Sequence, residues 1–153
     1  MQNNDDPTPK KYHTITPLLR VKEASKLIDF LKQAFEAKET RRNTQKDGSI
    51  MRAEIKIGDS VIMVSDSTEE WKPTTSALYL YIDDIDKRYH IALEAGATSL
   101  RKPKDEQYGD RCAVVMDQFG NQWWIATHKE HTSEDEFDNE SNNLMDESQT
   151  FSI

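Results

Sequence analysis

The sequence predicts an α+β fold made of two βαβββ modules in tandem, and three observations carry that prediction. Apolar and polar residues alternate in a way that gives strand, helix, strand, strand, strand, and then gives the same order again. Leu18-Leu19-Arg20-Val21 lies opposite Tyr79-Leu80-Tyr81-Ile82, an offset of about 60 residues that marks an internal repeat. The turn signal Gly58-Asp59 likewise lies opposite Gly120-Asn121. One such unit cannot easily bury its sheet alone, whereas two can pair their sheets and share a central surface.

The elements follow in order. Thr14 to Arg20 is an extended run. Val21, Ala24, Leu27, Ile28, Leu31, Ala34 and Phe35 then repeat at helical spacing and give one apolar face. Ala37–Arg42 reads as a short strand and Asn43–Gly48 as a polar turn. Met51, Ala53, Ile55 and Ile57 alternate with Arg52, Glu54 and Lys56, the pattern of a strand with one buried face. Gly58-Asp59 turns the chain into Val61–Val64, a continuous apolar run that predicts a strand buried on both faces. Ser65–Thr75 is a polar loop.

The second module opens with the strand Ala77–Ile82, and Asp83 or Asp84 is the residue type that caps a helix N-terminus. Ile85, Tyr89, Ala92 and Leu93 form the next apolar helix face, closed by Gly96 as a left-handed cap. Thr98–Arg101 is a short strand, Lys102–Gly109 a polar loop, Arg111–Met116 a strand, Asp117–Gly120 a turn and Asn121–Thr127 the last strand.

Composition bounds the function. The chain has 153 residues, a net charge of −8, 35% hydrophobic residues and one cysteine. Mean hydropathy is −0.85, low for a chain that buries a core throughout. The charge is uneven: residues 129–153 hold eight acids against Lys129 alone, a net −7, which leaves about −1 for the other 128. The expected organisation is a disordered segment 1–11, a folded domain 12–128 with modules near 12–65 and 76–128, and an acidic disordered tail 129–153. One cysteine excludes an intrachain disulfide scaffold. No apolar run approaches the ~18–20 residues that span a bilayer. Met1–Lys11 has no apolar stretch of the secretory type, so a cytoplasmic location is the expectation. A pI near 5.0 argues against nucleic acid as a partner.

Local phrases then point to a family. Ile15-Thr16-Pro17-Leu18-Leu19-Arg20-Val21, Ile28-Asp29-Phe30, Ala53-Glu54-Ile55-Lys56-Ile57-Gly58-Asp59-Ser60, Tyr108-Gly109-Asp110-Arg111 and Ile125-Ala126-Thr127-His128 resemble the PhnB-like branch of the glyoxalase/bleomycin-resistance/extradiol-dioxygenase superfamily, the vicinal oxygen chelate fold. The resemblance covers about Tyr12 to Glu130. It implies two sheets curved into a cup. In the family's metalloenzymes, two His and two Glu on four strands hold a divalent metal in that cup. Carried onto this chain, those positions fall on Thr16, Met63, Ala77 and Trp124. None is a metal-ligating residue type, so no metal and no cofactor is expected.

Strand parity supports the same alignment. With Ile15, Leu19, Val21, Leu78, Leu80, Ile82, Trp123 and Ile125 turned to the helices, the cup is lined by Thr16, Leu18, Arg20, Arg52, Glu54, Met63, Ala77, Tyr79, Tyr81, Cys112, Val114 and Trp124. Aromatic walls with a few polar groups suit a small-molecule pocket. Glu54 is its one carboxylate: either a general base or the ion-pair partner of Arg20, Arg52 or Lys56. Tyr108 and Arg111 either close over a ligand or clamp a loop, and Trp124 either stacks on a ligand or fills the place of a metal. Cys112 reads as a small buried hydrophobe, His13 and His90 as exposed, and His128 and His131, with Glu130 between them, as an adventitious metal contact at most, at the root of the tail.

The reading these residues support is a metal-free homodimer that holds a small planar or cationic molecule in an aromatic cup. A second is a lyase, isomerase or oxygenase using a displaced metal or Glu54. A third is an interaction protein acting through the acidic tail.

Overall fold

A computed structural model describes residues 7–129. The element order is β1 (Leu18–Val21), α1 (Ala24–Phe35), β2 (Lys38–Thr44), β3 (Ile50–Ile57), β4 (Ser60–Asp66), then β5 (Ala77–Tyr81), α2 (Ile85–Glu94), β6 (Thr98–Asp105), β7 (Asp110–Met116) and β8 (Gln122–His128). The duplicated βαβββ order is therefore present. Each module forms its own four-stranded mixed sheet, ordered β1-β4-β3-β2 and β5-β8-β7-β6. The first and last strands of each module pair in parallel, Leu18 with Met63 and Tyr79 with Trp124, and the other pairs are antiparallel. No described helix is long and apolar enough to cross a membrane.

One core joins the modules. Leu19, Val21, Ala53, Ile55 and Val64 of the first sheet, Ala113, Val115, Trp123 and Ile125 of the second, and the apolar faces of both helices belong to a single buried cluster. The helices pack on each other, and the Phe35 ring at the end of α1 lies 5.4 Å from Trp123. The helix-covered sides of both sheets thus face the same interior. Because strand side chains alternate between faces, the other side of each sheet points away from that core.

Several elements differ from expectation for local reasons. β1 begins only at Leu18, because Pro17 has no N–H to give a ladder, although its carbonyl accepts from Met63 N at 2.9 Å. In β4 only Ile62 and Val64 of the apolar run are buried; Val61 and Met63 are half-exposed on the outward side, so the strand is not buried on both faces. β6 runs on through Lys102–Asp105, which the sequence reads as loop. It is an edge strand, and a register shift between Arg101 and Lys104 accommodates Pro103. Asp84 occupies the N-cap of α2 but in a left-handed conformation, with no side-chain cap bond. Gly96 takes the expected left-handed turn at φ +109.

Of the segment 1–11, residues 7–11 are described. Tyr12 N bonds Pro9 O at 2.9 Å, closing a turn that lays Lys11 on the first sheet. The acidic tail beyond Lys129 lies outside the described residues.

Candidate functional site

The outward face of the second sheet gathers most of the residues with chemistry. Register sets Tyr79 beside Trp124, and their rings stack at 6.4 Å with 19° between planes. Tyr81 leans on Tyr79 at 5.3 Å. Tyr79 is 43% exposed and Tyr81 66%, so both rings meet solvent on this face. The Arg101 guanidinium lies 5.8 Å from the Trp124 ring, and Arg101 is ion-paired to Glu106. Beneath this layer Cys112 and Val114 are buried. Loss of water pushes the Cys112 thiol up, so it stays protonated at neutral pH.

Asp110 organises the same face. It is 3% exposed, accepts from the Tyr79 hydroxyl at 2.9 Å, and lies 2.7 Å from His128 Nδ1. The Tyr108 hydroxyl is 3.3 Å from that of Tyr79. A carboxylate at Nδ1 favours the tautomer with its proton there, which directs the lone pair of the neutral ring to Nε2. Loss of water around the hydroxyl, then its bonds to Tyr108 and Asp110, hold the Tyr79 phenol well above its ordinary range. Tyr81 is raised too, by burial first and then by the Asp110 charge.

The outward face of the first sheet is different in kind. Leu18, Arg20, Met63, Arg52 and Lys56 are on it, with Arg41 opposite Glu54. Glu54 is buried and takes the Lys11 ammonium at 2.7 Å and the Thr40 hydroxyl at 3.3 Å. The Lys11 bond, and after it the nearby Tyr12 hydroxyl, keep the Glu54 carboxyl below the usual carboxylate range. Tyr12 is in turn pushed up to about 12, by burial and then by Glu54. Glu54 is thus an ionised partner of the N-terminal segment. Its cation is Lys11, and not Arg20, Arg52 or Lys56.

The residues singled out in the sequence therefore divide. Ala77, Tyr79, Tyr81, Tyr108 and Trp124 come together on the second sheet; Glu54 and Met63 are on the first, and Thr16 precedes its first strand. Arg111 joins neither group. It alternates onto the helix side, where it holds Asp86 with two bonds of 2.8 Å and Asp105 with one of 3.2 Å, tying β7 to the start of α2. Sequence reasoning missed Asp110 and His128 as a pair. The signal available was that Tyr-Gly-Asp-Arg begins the strand whose antiparallel neighbour ends in Thr-His, so that the two acid–base groups fall opposite each other.

The metal implied by the family does not fit. Thr16 and Met63 belong to the first module and Ala77 and Trp124 to the second, and none offers a carboxylate or an imidazole. No three His, Cys, Asp or Glu converge among the described residues. A concavity of about 650 Å³ lies between the modules, lined by Ile15, Pro17, Leu78, Leu80, Tyr79 and Tyr81. Of the expected ligand residues, only the two tyrosines reach it.

Comparison with known proteins agrees with this architecture. A family model described as the glyoxalase/bleomycin resistance protein/dioxygenase superfamily matches residues 11–125. An uncharacterized protein of Mycobacterium bovis is 31% identical over 133 residues, which is 80% of this chain and 88% of that protein. Among solved structures, TioX from Micromonospora sp. ML1 superposes with a TM-score of 0.62 at 20% identity, over 74% of this chain and 98% of its own. The PhnB protein from Bacillus cereus superposes with a TM-score of 0.59 at 15% identity, over 75% of this chain and 99% of its own.

Proposed function

The chain belongs to the glyoxalase/bleomycin resistance protein/dioxygenase superfamily, and from that premise we propose that it binds a small organic molecule in an aromatic-lined cup, without the superfamily's metal. One observation carries the reading: Tyr79, Tyr81 and Trp124 form a stacked, solvent-facing aromatic wall on an open sheet. Such a wall gains most by covering a flat apolar ligand.

Each outward face lies on its own four-stranded sheet, and no strand pair among the described residues joins the two sheets. The reading therefore includes a homodimer in which the second sheet of one copy faces the first sheet of the other. Exposed Leu18 on the first sheet, together with the tyrosines on the second, supports burial of both faces.

The test is a thermal-shift panel of small aromatic compounds on the full chain, with native mass spectrometry for the assembly. A ligand at 100 times its Kd should stabilise by about 2.7 kcal/mol. Stabilisation that disappears in Trp124→Ala is the expected result. A broad panel with no shift, or a strictly monomeric protein, would count decisively against the reading.

A second reading has its own support. Asp110 at His128 Nδ1, with the Tyr79 and Tyr108 hydroxyls alongside, is an arrangement that can take a proton from a bound molecule and return it elsewhere, as a lyase or isomerase requires. It moves the acid–base role from Glu54, which Lys11 and Thr40 engage, to His128. A ligand found by the panel that is released unaltered, with no exchange of its protons into deuterated solvent, would remove this second reading and leave the first.

A further inference from the structure

The first sheet's outward face carries a charge surplus that the described part of the protein leaves unanswered. The chain has seven arginines. Four are engaged by carboxylates: Arg42 by Glu39, Arg88 by Glu36, Arg101 by Glu106, and Arg111 by Asp86 and Asp105. The other three, Arg20, Arg41 and Arg52, form no ion pair with any described carboxylate, and all three stand on this one face.

Strand register places them there. Arg41 is opposite Glu54 and Arg52 opposite Asn43 across the β2–β3 pair, while Arg20 lies between core-facing Leu19 and Val21. Arg20 rests over the Trp71 ring at 5.3 Å, a contact that leaves its charge unpaired. Arg41 and Arg52 both lie near enough to Tyr12 to bear on its hydroxyl, so their charges converge on one part of the sheet. The one carboxylate available to them, Glu54, is taken by Lys11 at 2.7 Å. A cationic ligand therefore finds no free carboxylate among the described residues of this wall.

A positive surface without an internal counter-ion raises the local concentration of anions. The guanidinium fork matches the paired oxygens of carboxylate, sulfonate or phosphate. Resting on the reading above, in which this face closes over the aromatic wall of a second copy, we infer that the ligand is an aromatic anion. Its ring lies on Tyr79, Tyr81 and Trp124, and its acidic group is gripped by Arg41 and Arg52. The two walls thus recognise two ends of one molecule.

The test titrates the full chain with 2-naphthalenesulfonate and, separately, with the cation (2-naphthyl)trimethylammonium, which has the same ring and the opposite charge. Calorimetry is expected to show the sulfonate binding tighter by about tenfold or more, as one or two charge-assisted hydrogen bonds allow. Rising salt should narrow that gap. Arg41→Gln with Arg52→Gln should abolish the preference, while Arg52→Lys, which keeps a point charge, should retain part of it. These side chains are exposed, so circular dichroism should show the variants folded.

If Trp124→Ala weakens both probes but the wild type binds them equally, the aromatic cup stands and the anion inference falls. The anion inference falls in the same way if the arginine variant binds the sulfonate unchanged. If the wild type binds neither probe, the inference is overturned and the cup loses its support as well.

Discussion

Asp110 shows how much one side chain can organise. It is a buried carboxylate with a tyrosine hydroxyl on one oxygen and an imidazole on the other. Replacing it by Asn removes the charge and one acceptor oxygen while keeping the size. Stability should fall by about 1–3 kcal/mol, the cost of leaving buried polar partners poorly matched. The Tyr79 phenol, followed by its absorbance at 295 nm, should titrate at lower pH than in the wild type, because the Asp110 bond is one of the causes that hold it up. An unchanged urea midpoint and an unchanged Tyr79 titration would show that the network is incidental. Glu54 gives a second prediction, on pH. Its folded carboxyl is held below the ordinary range, so its contribution is present at neutral pH and is lost as pH falls through the acidic range. Tyr12 works in the other direction: held up at about 12, its neutral form favours the fold below its ordinary value of 10, and that contribution is lost as pH rises from about 10 to 12. Proteolysis at the Pro9–Tyr12 turn should therefore be slowest between those limits and rise on both sides, and Glu54→Gln should flatten the acid limb. Site residues were legible where alternation alone decides the face, as for Tyr79, Tyr81 and Trp124. They were not where a partner comes from far along the chain: Lys11 reaching Glu54, or His128 reaching Asp110, depends on the path of a segment or the meeting of two strands.

At the scale of elements, α1 is held by a residue outside it. Glu23 occupies the N-cap but its side chain makes no capping bond; instead Asp66, at the end of β4, accepts from Ala24 N at 2.8 Å and, through its other oxygen, from Ile50 N at 2.6 Å. One carboxylate thus caps the helix and fixes the start of β3 against it. Asp66→Ala should cost about 1–2 kcal/mol, as loss of a helix cap does, whereas Glu23→Ala should fall within about 0.5 kcal/mol of wild type. Equal effects in denaturant unfolding would refute the assignment. This division explains what the sequence could convey about the fold. Helices, hairpin turns and the repeat were legible because they rest on periodicity and on glycine at Gly58, Gly96 and Gly120. The extension of β6 through Pro103 was not, because a proline that ends a central strand can be absorbed at an edge by a bulge. The half-exposure of Met63 was hidden for a related reason. A continuous apolar run looks buried on both sides, and only the outward position of the first sheet's second face shows that it is not.

At the scale of the whole molecule, a charge of −8 gives no guide to the ligand, since about −7 belongs to residues 129–153 and the described body is nearly neutral. What matters is that the body is polarised by face, with unpaired arginines on one open sheet and aromatic rings on the other. The two faces lie on separate sheets, so the cup is built either within one chain or between two copies, and a complementation experiment separates them. One variant chain carries Trp124→Ala, which removes the aromatic wall. Another carries Arg41→Gln and Arg52→Gln, which removes the cationic wall. Each alone should lose tight binding of 2-naphthalenesulfonate. In a shared cup, a dimer of one variant with the other contains one cup with both walls defective and one cup with both intact. After unfolding and joint refolding of equal amounts, half the dimers are mixed and half the cups in those are whole, so about a quarter of the wild-type binding capacity should return at wild-type affinity. If each chain used only its own two faces, every cup in the mixture would carry one defect and no capacity would return. Recovery of tight sites on mixing two inactive variants is therefore a signature that only a cup built from both copies can give.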